Sequence, residues 1–190
     1  MKRIALALAA VLTIAGCSGN QKVKSEAQAA LEQEITRLTS PDAKVVITLF
    51  EKIDSTTYGE ELEYRQKAFE TKLSQDTKFY EKYRSSGMRV NMDKKYKAIE
   101  SDKRIIEALA KMAEELGAKA GEIAYYDYHF SGKAETADKV TEFTDYYACM
   151  AAEDNARLSI ENTTTGLHKS LGRILPGYVN LVKGEEQDSE

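Results

Sequence analysis

Two thiols and two imidazoles are all that this 190-residue chain offers for a cysteine–histidine nucleophile or a thiolate and imidazole metal site: Cys17, Cys149, His129 and His168. A cysteine nucleophile needs a histidine near enough to take its proton, so Cys149 with His168 is one set that could carry covalent catalysis. Carboxylates supply the other. Asp127 and His129 stand two apart, which on a strand puts both side chains on one face, and Asp145 from the next strand could join them around a divalent ion. Each set has a plainer reading beside it. Zinc sites present more nitrogen or sulfur than one imidazole, so Asp127, His129 and Asp145 also fit ordinary cross-strand polar pairing at a solvated edge. Cys149 also fits a small buried hydrophobe.

A turn near Lys133 to Asp138 bears on the thiol. It predicts that facing residues of the two flanking strands sum to about 270, which sets Cys149 beside Gly121 and leaves His129 roughly 26 Å away at 3.3 Å per residue. His168 is not excluded in this way. The same pattern places Cys149 on the strand face of Ala151 and, across the turn at Asp154-Asn155, of Ile160. Lys169-Ser170-Leu171-Gly172-Arg173 lacks the Gly-x-x-x-x-Gly-Lys-Ser/Thr spacing of a phosphate loop, and nothing else in the chain implies a cofactor.

Cys17 has a different chemistry. It follows a basic start, Met1-Lys2-Arg3, and a short apolar run from Ile4 to Ala15, the layout of a secretory signal peptide. The run is too short to span a bilayer, which takes roughly 20 apolar residues. Ile14-Ala15-Gly16-Cys17 resembles the lipobox of bacterial prolipoproteins: an aliphatic residue, two small residues, then cysteine. The resemblance covers only the N-terminal segment. It implies thioether attachment of a diacylglyceryl group to Cys17, cleavage before it, and acylation of the new amino group. Two or more acyl chains, at about 0.8 kcal/mol per buried methylene, anchor a domain stably. Ser18 stands where an aspartate in this family often marks inner-membrane retention, so it resembles the outer-membrane class.

Without Lys2 and Arg3 the mature chain carries 25 basic and 31 acidic residues, a net charge of −6. That balance disfavours nucleic acid and predicts no polybasic patch for anionic lipid heads. With Cys17 lipidated, Cys149 is the remaining cysteine and no internal disulfide is expected, so packing alone must hold the fold. A mature length near 170 residues suits one domain with a real core.

The elements that must position these residues follow from hydrophobic period. Leu31, Ile35 and Leu38 recur at helical spacing before the break at Ser40-Pro41-Asp42, so the tether becomes helical and docks one face on the domain. Val45 to Ile53 alternates with period two and reads as a strand, with a short helix as its rival. Gly59 to Arg84 and Asp93 to Leu116 carry apolar residues at helical spacing, with pairs such as Glu61 to Arg65 and Glu63 to Lys67 assigned to the wet side and Tyr96 and Ile106 inward. Together they form a helical hairpin. Glu122 to Ser131, Lys139 to Ala152 and Arg157 to Glu161 read as three antiparallel strands.

The expected fold is therefore α+β, a three- to four-stranded antiparallel meander packed against a helical hairpin. Its parts are a signal peptide at 1–16, a lipid-anchored tether at 17–41, one domain at 42–183 and a disordered acidic tail at 184–190. Tyr126, Tyr128 and Phe130 share one face of their strand with Tyr146, while Tyr125 and Tyr147 face the other way. These aromatics serve either as core or, if the face stays uncovered, as a binding platform. The Tyr-rich meander with Leu171-Gly172-Arg173-Ile174-Leu175-Pro176-Gly177-Tyr178 is similar to small α+β envelope lipoproteins, a resemblance that implies no activity. The expectation is a lipid-anchored envelope protein, outer membrane favoured, that binds a protein partner or small ligand. The alternative is a small periplasmic enzyme using Cys149 and His168, or Asp127, His129 and Asp145 with a metal.

Overall fold

The computed structural model describes residues 25–168 and 171–187. The signal-peptide segment, Cys17, the start of the tether, Lys169-Ser170 and the last three residues lie outside the described residues. Helix α1 (Glu26–Thr39) opens on Ser25, whose hydroxyl accepts from the Gln28 N–H at 3.2 Å. Glu26 in its first turn and Arg37 in its last complement the helix dipole. Strand β1 (Lys44–Thr57) follows, so period two prevails over the rival helix. Thr57 then forms a capping box with Glu60 and starts α2 (Tyr58–Ser85).

Gly87, at φ 66°, turns the chain into α3 (Arg89–Leu116), which stops at Gly117 with φ 50°. A 3₁₀ turn leads into β2 (Ile123–Glu135), β3 (Val140–Ala151) and β4 (Arg157–Glu161). The chain closes through a one-turn helix α4 (Thr164–Leu167), a 3₁₀ turn at Leu171–Ile174, a bend at Gly177 and α5 (Tyr178–Gln187). Helix α5 thus runs into the first residues of the segment expected to be a disordered tail.

The class is α+β: one antiparallel sheet in the order β1-β2-β3-β4, packed against helices. Both faces of the sheet are covered, where one covered face was expected. Helix α1 lies on the even-numbered face, with Ala27, Leu31 and Ile35 against Tyr128, Phe130, Ala148 and Met150. The helix docks one face on the domain, as its spacing predicts, and that face is part of the core. Leu38, counted on the same stripe, is 53% exposed beyond the sheet. The roots of α2 and α3, with the C-terminal segment, cover the odd-numbered face through Leu62, Ile105, Leu109, Tyr125, Cys149, Leu167 and Leu175. Ile105 is the more deeply buried of the isoleucine pair, and Tyr96 is exposed.

The β2–β3 register differs from expectation. Asp127 faces Cys149 and His129 faces Tyr147, so facing residues sum to 276. The hairpin closes at Thr136–Lys139, where the Thr136 N–H donates to the Lys139 carbonyl at 2.8 Å, later than the composition suggested. Cys149 therefore sits far nearer His129 than a Gly121 partnership implied. Ile160 faces Ala148 and belongs to the opposite face from Cys149. Near the hairpin end of β2, β1 approaches so closely that a Cβ on Gly132 would stand 2.4 Å from the Val46 carbonyl oxygen. Glycine is required there for steric room.

Candidate functional site

On the odd-numbered face, five polar side chains meet beneath the C-terminal segment. Glu61 and Arg65 come from the first two turns of α2, Tyr125 and Asp127 from β2, and His168 from the end of α4. Glu61 is 1% exposed, Tyr125 2% and Asp127 3%. Glu61 accepts from Arg65 Nε at 2.7 Å and from the Tyr125 hydroxyl at 3.1 Å. Arg65 Nη2 donates onward to the His168 carbonyl at 2.7 Å. His168 Nε2 meets Asp127 Oδ2 at 2.6 Å, and its ring tilts over Tyr125 at 5.4 Å between centroids.

These contacts set the electrostatics. The hydrogen bond to Asp127 holds the His168 imidazolium above the ordinary histidine range, against the opposing effect of partial burial. Burial pushes the Tyr125 phenol up, so it remains a donor to Glu61. Burial likewise raises Tyr178, whose ring lies 5.8 Å from the Arg65 guanidinium. A carboxylate beside an imidazole orients it and can support base chemistry at the other ring nitrogen. Asp127 Oδ1 is buried with no hydrogen-bond partner among the described residues.

Cys149 is on this face, opposite Asp127 in the sheet and in one apolar cluster with Tyr125 and Leu167. The chain thus brings Cys149, His168 and Asp127 to one region, yet the thiol is fully buried. Reactive thiols sit in partly exposed, electropositive surroundings. The proposed metal set does not assemble. Asp127 is committed to His168, while His129 reaches Asp145 at 3.1 Å on the solvated edge, and among the described residues no group of three or more His, Cys, Asp or Glu side chains could hold an ion. Asp145 sits at the β3 bulge with φ 54°, a conformation aspartate tolerates.

The aromatic set Tyr126, Tyr128, Phe130 and Tyr146 lies under α1. Phe130 is fully buried, Tyr128 nearly so and stacked on Phe50 at 4.5 Å, and Tyr126 and Tyr146 are half-buried. The face considered for a binding platform is core. Glu61 and Arg65 are the residues that sequence reasoning misplaced, having been assigned to the wet side. A signal was present: Tyr58, Glu61, Leu62, Arg65 and Phe69 form one helical stripe, and a charged pair within an apolar stripe marks a buried bridge.

No family model matches the chain, and no curated protein or solved structure matches it.

Proposed function

We propose that this chain is a lipid-anchored envelope protein, held on a membrane by Cys17, whose folded domain binds or supports a partner rather than catalysing a reaction. The observation that carries the reading is where the chemically capable groups are used. Glu61, Arg65, Tyr125, Asp127 and His168 bond one another and fasten the C-terminal segment over the sheet, with the Cys149 thiol sealed beneath. No described helix is long and apolar enough to cross a membrane, so membrane attachment in this reading rests on the lipid. Ser18 supports the outer-membrane assignment.

In a bacterium expressing the chain, an inhibitor of lipoprotein signal peptidase is expected to cause the precursor to accumulate. Cys17→Ala is expected to leave the membrane fraction on a high-salt wash, which releases charge-held contacts, whereas the lipidated chain stays with it. Normal maturation of the treated chain would defeat the anchor. Crosslinking in intact cells, followed by mass spectrometry, then identifies the neighbour, and a chain with no reproducible neighbour would defeat the partner reading.

One observation favours a thiol enzyme instead: Asp127 orients His168 and stands opposite Cys149. Iodoacetamide decides between the two. Alkylation of Cys149 as fast in the folded protein as in urea would favour the enzyme, whereas strong protection fits the sealed thiol.

A further inference from the structure

The far half of the α2–α3 hairpin has a composition unlike the rest of the molecule. Each helix is 28 residues long, about 42 Å at 1.5 Å per residue. Their apolar contacts with the core end near Phe69 and Ile105, so roughly 24 Å of two-helix arm continues past the domain. Residues 78–97 hold seven basic and two acidic side chains, a net +5 in a chain whose total is −4, so the other 170 residues carry −9. Net charge conceals this segregation, and the expectation of no polybasic patch is corrected by it.

The same end is apolar. Val90 is 70% exposed, Tyr96 54%, Met88 51% and Phe79 44%, whereas the other exposed large hydrophobics are scattered over the fold. Phe79 stacks on Tyr83 and Tyr80 meets Tyr96 at a tilt of 46°, each pair at 6.3 Å between centroids. Met88 and Val90 thus stand at the turn with the aromatic pairs on the two helices beside it, and Lys78, Lys82, Arg89, Lys94 and Lys97 fall in the same terminal turns, while Arg84 pairs with Glu81 at 3.4 Å.

From this arrangement we infer that the hairpin tip docks on an anionic phospholipid surface. Met88 and Val90 enter the headgroup layer, the tyrosines sit at its polar boundary, and the lysine and arginine stems lie along apolar surface with their charges on lipid phosphates. Nucleic acid would satisfy the charges but leave Met88 and Val90 in water. The end of a two-helix arm, about 10 Å by 20 Å, falls well short of the roughly 800 Å² per partner of a stable protein interface. A bilayer deforms around a small convex tip and needs no matching shape. The inference is independent of the Cys17 anchor, because it concerns the opposite chemistry at a different place in the chain.

The chain has no tryptophan, so V90W in the full-length protein makes an emission that reports on the tip alone. V140W, at an exposed position beside the β2–β3 turn, serves as the control. Mixing with vesicles of equal phosphatidylglycerol and phosphatidylcholine is expected to blue-shift V90W and leave V140W unmoved, with no shift on phosphatidylcholine alone. Each basic residue near the surface contributes about fivefold in partitioning. Loss of four positive charges in K78E, K82E, K94E and K97E together should therefore weaken the V90W response by at least roughly several hundredfold, the added negative charges weakening it further, with circular dichroism confirming an intact hairpin. An unmoved V90W on anionic vesicles, an equal shift on neutral ones, or a shift that survives the charge reversals overturns the proposal. A response to duplex DNA or an acidic polypeptide but not to vesicles overturns it in favour of a polyanion.

Discussion

Glu61 shows how far a residue's meaning depends on what closes over it. Its carboxylate is shared by Arg65 and Tyr125 in a site from which water is nearly excluded. Removing one partner of such a bridge leaves the other charged and buried, which costs about 3–5 kcal/mol. Glu61→Ala is expected to lower stability by that amount in urea titration, and Tyr125→Phe by about 1 kcal/mol. An Ala variant within 1 kcal/mol of wild type would mean the bridge is not sealed. His168 gives a pH dependence with a definite sign. Its folded pKa is raised above the unfolded value by Asp127, so the stability it contributes is fully present below about pH 6.5 and is lost as pH rises through the folded value. Amide-exchange protection of residues 171–187 should fall over that alkaline interval, and His168→Gln should abolish the dependence. Protection that is flat with pH in wild type would refute the role.

At the scale of elements, α1 is the part whose importance is easiest to underrate. Leu31 and Ile35 are 0% and 3% exposed and seat the helix on Tyr128 and Phe130. The Glu34 carboxylate also meets Arg157 of β4 at 2.5 Å, tying the helix to the far edge of the sheet. Leu31→Ala should cost about 2–5 kcal/mol, as a cavity at a fully buried leucine does. A thermal or urea midpoint barely changed by Leu31→Ala would return α1 to the status of a tether. The hairpin is held differently along its length. Near its root the helices pack on the core, whereas further out they pair through Lys72 with Asp102 and Lys95 with Asp76. Burial raises the Asp102 carboxyl, partly offset by Lys72, so this bridge adds alignment more than stability.

The whole molecule is therefore a sheet sealed on both faces with an arm standing off it. Local opening is cheapest where few apolar contacts close the structure. Amide exchange should accordingly be faster at residues 76–98 than around Leu62 and Leu109, and uniform protection along both helices would indicate that the arm is not free-standing. The charge is distributed in the same two parts, with the basic arm set against an acidic body. Opposite polarity in the two parts gives the molecule a charge dipole that follows its architecture.

Much of this was legible in local pattern. Helical spacing indicates α2 and α3, alternation indicates β1, and β-forming composition between turn residues indicates β2, β3 and β4, the last at its observed bounds, because these patterns are local. The resemblance to a lipobox is likewise local, resting on four consecutive residues, Ile14-Ala15-Gly16-Cys17. What the local pattern left undecided is nonlocal. The turn residues between β2 and β3 permit closure at more than one place, and only the packed sheet selects the register that sets Asp127 opposite Cys149. Glu61 and Arg65 have the spacing of a surface pair, and a C-terminal segment about a hundred residues away makes them a buried one. Sequence by itself determined the elements and the anchor motif; tertiary structure decided which charges are buried and which apolar side chains stay in water, because burial depends on what covers a residue and not on its neighbours in the chain.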